Sequence, residues 1–175
     1  MSVTANAATE HPGGRVDATG STAVTTEDRA AAAELLARYA ELIDAGDFDG
    51  VGELLGDAVL RDADGTPVAT GPDEIAALYV ATTRRHADGT PLTAHVITNV
   101  IVEHVGPDEL EVRSRFTVLQ CTDTLALQPI VAGRYVDRLT KSQQGWRFAD
   151  RTMIPQFWGD VSQHLTFDPR SLGTR

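Results

Sequence analysis

The chain holds a single cysteine, Cys121. One thiol excludes an internal disulfide and a cysteine-built zinc site, and Cys121 reads as a small buried side chain rather than a nucleophile. No apolar run approaches the roughly 18 residues of a spanning helix. The opening MSVTANAATEHPGG has no basic stretch followed by an apolar one, so no signal peptide is read and a cytoplasmic location is expected. Positive charge is scarce: 15 Lys plus Arg face 25 Asp plus Glu, a formal net charge of -10. Binding to nucleic acid or an anionic membrane rests on clustered cations, so this balance argues against both partners. No two histidines stand at ligand spacing with an acid. His86 and His104 read as surface residues, and neither a metal nor a cofactor is expected. There is no internal repeat.

What remains is ordinary for one globular domain. The chain has 175 residues, 42% hydrophobic and 23% charged, enough for a real core. Residues 1–24 are rich in Ala, Thr, Gly and Pro and read as a flexible tail. Order is predicted from Thr25, a helix cap followed by two acids. Leu35, Leu36, Tyr39, Leu42 and Ile43 then recur at helical spacing, and Gly46 supplies the stop. A short second helix buries Phe48, Val51, Leu54 and Leu55. Asp64 and Gly65 mark a hairpin turn. Pro72 opens a third helix predicted to end near His86 or Ala87. Four long β-prone runs follow, over 92–105, 109–121, 127–141 and 145–158, joined by turn-forming residues. Helices first and strands later indicate an α+β fold with a mostly antiparallel sheet. The domain is read as 25–165, with a tail over 166–175.

Several segments in this order resemble the SnoaL-like family of the nuclear-transport-factor-2-like superfamily. They are YAELIDAGD at 39–47, TGPDEI at 70–75, AHVITN at 94–99, AGRYVDR at 132–138 and GWRFADR at 145–151. The resemblance spans about residues 25–165. It implies a cone-shaped half-barrel, a strongly curved sheet wrapped around three helices with one deep apolar pocket. Family members include scytalone dehydratase, bile acid 7α-dehydratase, hexachlorocyclohexane dehydrochlorinase, ketosteroid isomerase, polyketide cyclases and non-catalytic dioxygenase β subunits. One fold with many uses leaves function to the pocket.

On the residues alone, His95 is either a buried histidine bonded to a carbonyl or a base. Alternation groups it with Ile97, Asn99 and Ile101 against Val96, Thr98, Val100 and Val102, and does not say which face is concave. The dehydratase and dehydrochlorinase members carry their general base at the matching histidine, so the resemblance implies that role for His95. It likewise implies Asp44 as the partner that orients the ring, with Asp47 and Asp49 as neighbouring alternatives. A carboxylate fixes the tautomer and stabilises the imidazolium. Tyr39 lies about 140° around an ideal helix from Asp44. It reads as core, while the resemblance implies a hydroxyl donor to a substrate oxygen. Arg151 reads as a ladder arginine, or, by resemblance, as the cation that assists a leaving group. Asn99, Phe116, Val118, Ile130, Tyr135, Met153, Phe157 and Trp158 are candidates for the pocket wall, and Asp137 for a second acid.

The resulting expectation is a dehydratase-type lyase that needs no cofactor and acts on a small hydrophobic cyclic molecule. The alternatives are an isomerase or cyclase with the same pocket, or a non-catalytic assembly module. An apolar outer sheet face, carrying Val96, Val100 and Val102 or their alternates, predicts a homodimer or homotrimer.

Overall fold

The computed structural model describes residues 23–169. The expected N-terminal tail, but for its last two residues, and the last part of the C-terminal one lie outside the described residues. Helix α1 (Thr26–Ala45) starts where Thr25 caps it: the threonine hydroxyl accepts from the Asp28 amide, and Asp28 accepts from the Thr25 amide in return. Gly46 closes it at φ 73°, a left-handed conformation that costs glycine little. The face with Ala32, Leu36, Tyr39 and Ile43 is buried. Helix α2 (Phe48–Leu55) follows after one turn, then a hairpin of β1 (Val59–Arg61) and β2 (Pro67–Thr70).

Helix α3 (Pro72–Thr82) stops earlier than the sequence predicts. Its end has a physical cause in a later part of the chain. Thr83 leaves the helix to form a β-bridge with Leu165, and the Arg84 amide donates to the His164 carbonyl at 2.7 Å. The backbone of Thr83 and Arg84 is thus committed to the C-terminal segment.

Four long strands complete the sheet: β3 (Thr93–Gly106), β4 (Glu109–Gln120), β5 (Gln128–Ser142) and β6 (Gly145–Trp158). The sheet order is β2-β1-β6-β5-β4-β3. All neighbours are antiparallel except β1 and β6, which run parallel. Three helices and a curved, unclosed six-stranded sheet enclose the core. This is the α+β half-barrel expected.

Bulges set which side chains enter the hollow, because one extra residue reverses alternation. In β3 the pairing passes from Thr98↔Arg115 to Ile101↔Arg113, and Asn99 takes φ 53°. His95 and Ile97 therefore turn inward before the bulge, and Val102 and His104 after it. Val102, which alternation groups with Val96, is 3% exposed, while Ile101, grouped with His95, is 49% exposed. Further shifts insert Ile130 in β5, and Ala149 and Gln156 in β6.

Candidate active site

The hollow is a cavity of about 420 Å³ with a mostly apolar wall. Its floor is sheet: His95 of β3, Phe116 and Val118 of β4, Val131 and Tyr135 of β5, Met153 and Trp158 of β6. Tyr39 of α1 and Tyr79 of α3 face them, and the C-terminal segment contributes His164, Leu165 and Phe167. Gly133 lets the wall close up. A Cβ there would sit 2.8 Å from the Phe116 ring, which instead stacks on Tyr135 with centroids 4.5 Å apart.

Asp44 stands behind His95 at the end of α1. Its Oδ1 lies 2.6 Å from His95 Nδ1 and accepts the Thr93 hydroxyl at 2.7 Å. Its Oδ2 accepts the His95 amide at 2.7 Å. Partial burial would push the carboxyl up, but hydrogen bonds from the His95 ring, its amide and Thr93 hold it below the usual carboxylate range. A carboxylate only accepts, so the proton of the neutral ring sits on Nδ1 and the Nε2 lone pair is free. The His95 side chain is 6% exposed and forms part of the cavity wall.

Tyr39 meets the His95 ring edge to face, with centroids 6.1 Å apart at 82°. The angular separation of Tyr39 from Asp44 along α1 is no obstacle. Tyr39 points into the hollow, while Asp44 reaches sideways to the start of β3. The Tyr39 and Tyr79 hydroxyls are 3.0 Å apart, and Tyr79 also has the Met153 thioether at 3.7 Å. Burial, and the Tyr39 hydroxyl beside it, push the Tyr79 phenol well above its ordinary value, so it stays a hydroxyl. If the Tyr79 proton turns from the weak thioether to Tyr39, the Tyr39 proton is left free to point into the cavity.

Arg151 lies beneath this layer and is fully buried. It donates to both Asp137 oxygens, at 2.7 and 3.0 Å, the bidentate geometry of an ion pair. Burial works against the guanidinium charge, but Asp137 outweighs it and holds its pKa above the ordinary value. The guanidinium carbon lies 4.2, 4.4 and 4.7 Å from the ring centroids of Tyr39, Tyr135 and Phe148. Neither Arg151 nor Asp137 belongs to the cavity wall. Arg151 was expected to assist a leaving group directly, but it lies behind the wall, with its guanidinium against the rings of Tyr39 and Tyr135, which do line the cavity.

The family model for the SnoaL-like domain matches residues 24–152. The chain belongs to the SnoaL-like family. Solved structures agree on the fold. One is an NTF2-like protein with a cystatin-like fold from Novosphingobium aromaticivorans, at 25% identity and TM-score 0.61, covering 78% of this chain and 86% of that one. Another from the same organism, provisionally named a scytalone dehydratase, has 21% identity and TM-score 0.61 over 77% and 87% of the two chains. LinA has 18% identity and TM-score 0.57 over 78% and 90%. The likeness to the last two is one of fold. None of the curated proteins compared matches the chain.

Within this SnoaL-like cavity, Tyr39, His95, Phe116, Val118, Tyr135, Met153 and Trp158 line the wall. Three candidates do not. Asn99 is exposed at the β3 bulge. Phe157 is 69% exposed, because the extra residue Gln156 sends Pro155 and Trp158 inward instead. Ile130 is buried outside the wall, and its neighbour Val131 takes the place. Asp47 caps α2 through the Gly50 amide. Cys121 is exposed at the end of β4, not buried. His104 is not a surface residue: its side chain is 7% exposed and its Nε2 lies 3.2 Å from Asp28, which also accepts from Trp146. Tyr79 and His164 escaped the sequence reading. Tyr79 lay on a helix assigned no site residue, and His164 lay next to a presumed tail. Among the described residues, no three His, Cys, Asp or Glu come together to hold a metal ion, and no helix is long and apolar enough to cross a membrane.

Proposed function

We propose that the cavity is the active site of a lyase that acts by general base catalysis on a small, mostly apolar cyclic substrate. The observation that carries the reading is the Asp44–His95 contact, 2.6 Å long, with the ring forming part of an apolar cavity. In the proposed step, His95 Nε2 takes a proton from carbon. The C–H electron pair becomes the new C=C bond, and the leaving group departs from the adjacent carbon with its own bonding pair. Asp44 stabilises the imidazolium so formed. Tyr39, with Tyr79 behind it, gives a hydrogen bond or proton to the departing oxygen, and the buried Arg151 favours negative charge in that layer. An α-proton beside a carbonyl would leave by the same route to give an enolate. That outcome leads to isomerisation or ring closure.

The test is a panel of small cyclic alcohols, enones and halides, assayed with wild type and His95→Ala. Turnover of at least one compound is expected, with a loss of about 10²–10⁴-fold in the variant. Undiminished turnover by His95→Ala removes the base. Binding without turnover across the panel favours an assembly module.

The outer sheet face supports self-association. Val96, Ile101 and Val105 are 44%, 49% and 44% exposed along β3. Beside them Arg113 pairs with Glu103 and Glu111, so both signs of charge are present for a second copy. A homodimer or homotrimer through this face is our proposal.

A further inference from the structure

The proposed reaction uses one imidazole, and the cavity wall holds two. His164 lies in the turn after β6 and is 8% exposed. Its Nδ1 is buried without a hydrogen-bond partner. The other described histidines are all bonded: His86 to the Gln163 carbonyl, His95 to Asp44, His104 to Asp28. Nδ1 is sealed within the wall, so a ligand in the cavity can meet this ring only at Nε2.

The ring is also held in place. The His164 amide donates to the Val161 carbonyl, and its carbonyl accepts the Arg84 amide. Leu165 bridges to Thr83, and its carbonyl accepts Arg84 Nε at 2.8 Å. The Thr166 amide and hydroxyl bond the Thr82 and Ala81 carbonyls. This segment is strapped to the end of α3 by main-chain bonds, as a binding wall requires.

The tautomer follows from what each nitrogen meets. A buried lone pair is tolerated better than a buried N–H, so the proton belongs on Nε2, at the tip of the ring. Burial and the nearby His95 bring the pKa down to about 4, which keeps the ring neutral. A neutral imidazole in an apolar wall suits an uncharged oxygen rather than a carboxylate or phosphate.

We propose that His164 Nε2–H donates a hydrogen bond to a carbonyl or hydroxyl oxygen of the ligand. No proton is transferred. The substrate class narrows to an apolar ring system with a neutral oxygen to be held by His164. This rests on the cavity being the active site.

The test compares 1-tetralone with tetralin, the same skeleton without the oxygen, by calorimetry on the full chain. Wild type is expected to bind the ketone more tightly. His164→Phe should weaken ketone binding about tenfold and leave tetralin unchanged, which also shows that the variant folds. His164→Gln, which keeps a donor, should restore part of the difference. The carbonyl stretch of bound tetralone should move to higher frequency in His164→Phe. Equal ketone affinity in wild type and His164→Phe overturns the proposal, and so does a wild type that does not prefer the ketone. Deuterium exchange at C2 of the ketone, followed in parallel with His95→Ala, tests the base separately. Loss of exchange with the ketone preference intact supports both readings. Absence of exchange in wild type counts against the base alone.

Discussion

Asp44 fills three acceptor positions of its carboxylate at once, from a ring N–H, a main-chain amide and a hydroxyl. The ring is thereby fixed in tautomer and tilt before any substrate arrives. Asp44→Asn replaces one acceptor oxygen with a donor, which clashes with that set. We expect turnover to fall by about 10²–10⁴-fold with substrate affinity little changed, measured as kcat against KM. His164 gives a prediction in pH. Its folded pKa, about 4, lies below the ordinary 6.5. Between those values the unfolded chain binds more protons than the folded one, so stability rises with pH there. The contribution is fully present above pH 6.5 and is lost as pH falls towards 4, an effect on the order of 3 kcal/mol. Denaturant melts at pH 7 and 5 should show a steeper loss in wild type than in His164→Phe. Asp44 adds to the acid limb at lower pH. Its depressed pKa gives stability that is present above the ordinary carboxylate range and lost as pH falls through the folded value.

At the scale of elements, the strands carry the information that periodicity alone loses. The helices were legible because each has its own punctuation: Thr25 and Gly46 bound α1, and Pro72 opens α3. The long strands were legible as β-prone runs between turn-forming residues, and Asp44 and His95 as a pair through the resemblance of local segments. Bulges account for three side chains that lie elsewhere than expected: Val102 and Phe157 each follow an inserted residue, and Ile130 is itself the inserted one. Phe148 and Arg151, three residues apart, would fall on opposite faces of a regular strand, yet both are buried because Ala149 intervenes. A bulge is one residue of mismatch between two partners, and one strand read by itself does not reveal its partner's count. The β3 bulge is testable. Asn99 sits at φ 53°, where β-branched residues are strained. Asn99→Val should destabilise the fold by about 1–2 kcal/mol, and Asn99→Gly should be nearly neutral, in urea titrations. Glycine costing as much as valine would mean that the Asn99 side chain, not its backbone angle, holds the bulge.

The molecule as a whole is organised around a charge. Arg151 and Asp137 pair at the centre of the core, ringed by Tyr39, Tyr135 and Phe148. Removing one partner leaves the other unpaired, so Arg151→Met should destabilise by about 3–5 kcal/mol. Arg151→Met with Asp137→Leu should regain much of that loss. Chemical denaturation of both variants checks this, and a double variant no better than the single would show that the aromatic ring contacts, not the pair, are what matters. The outer surface gives the prediction on assembly: sedimentation at micromolar concentration should show a dimer or trimer, and Ile101→Lys should dissociate it. A monomeric wild type would sink the proposed interface.

The strand that carries His95 is also the last ribbon of an open sheet. Its far margin offers main-chain donors and acceptors to any extended peptide that comes alongside. A visitor zipped onto that margin would tug on the imidazole two residues in from the strand's start. The kink at Asn99 breaks the regular spacing of that margin and makes such zippering awkward.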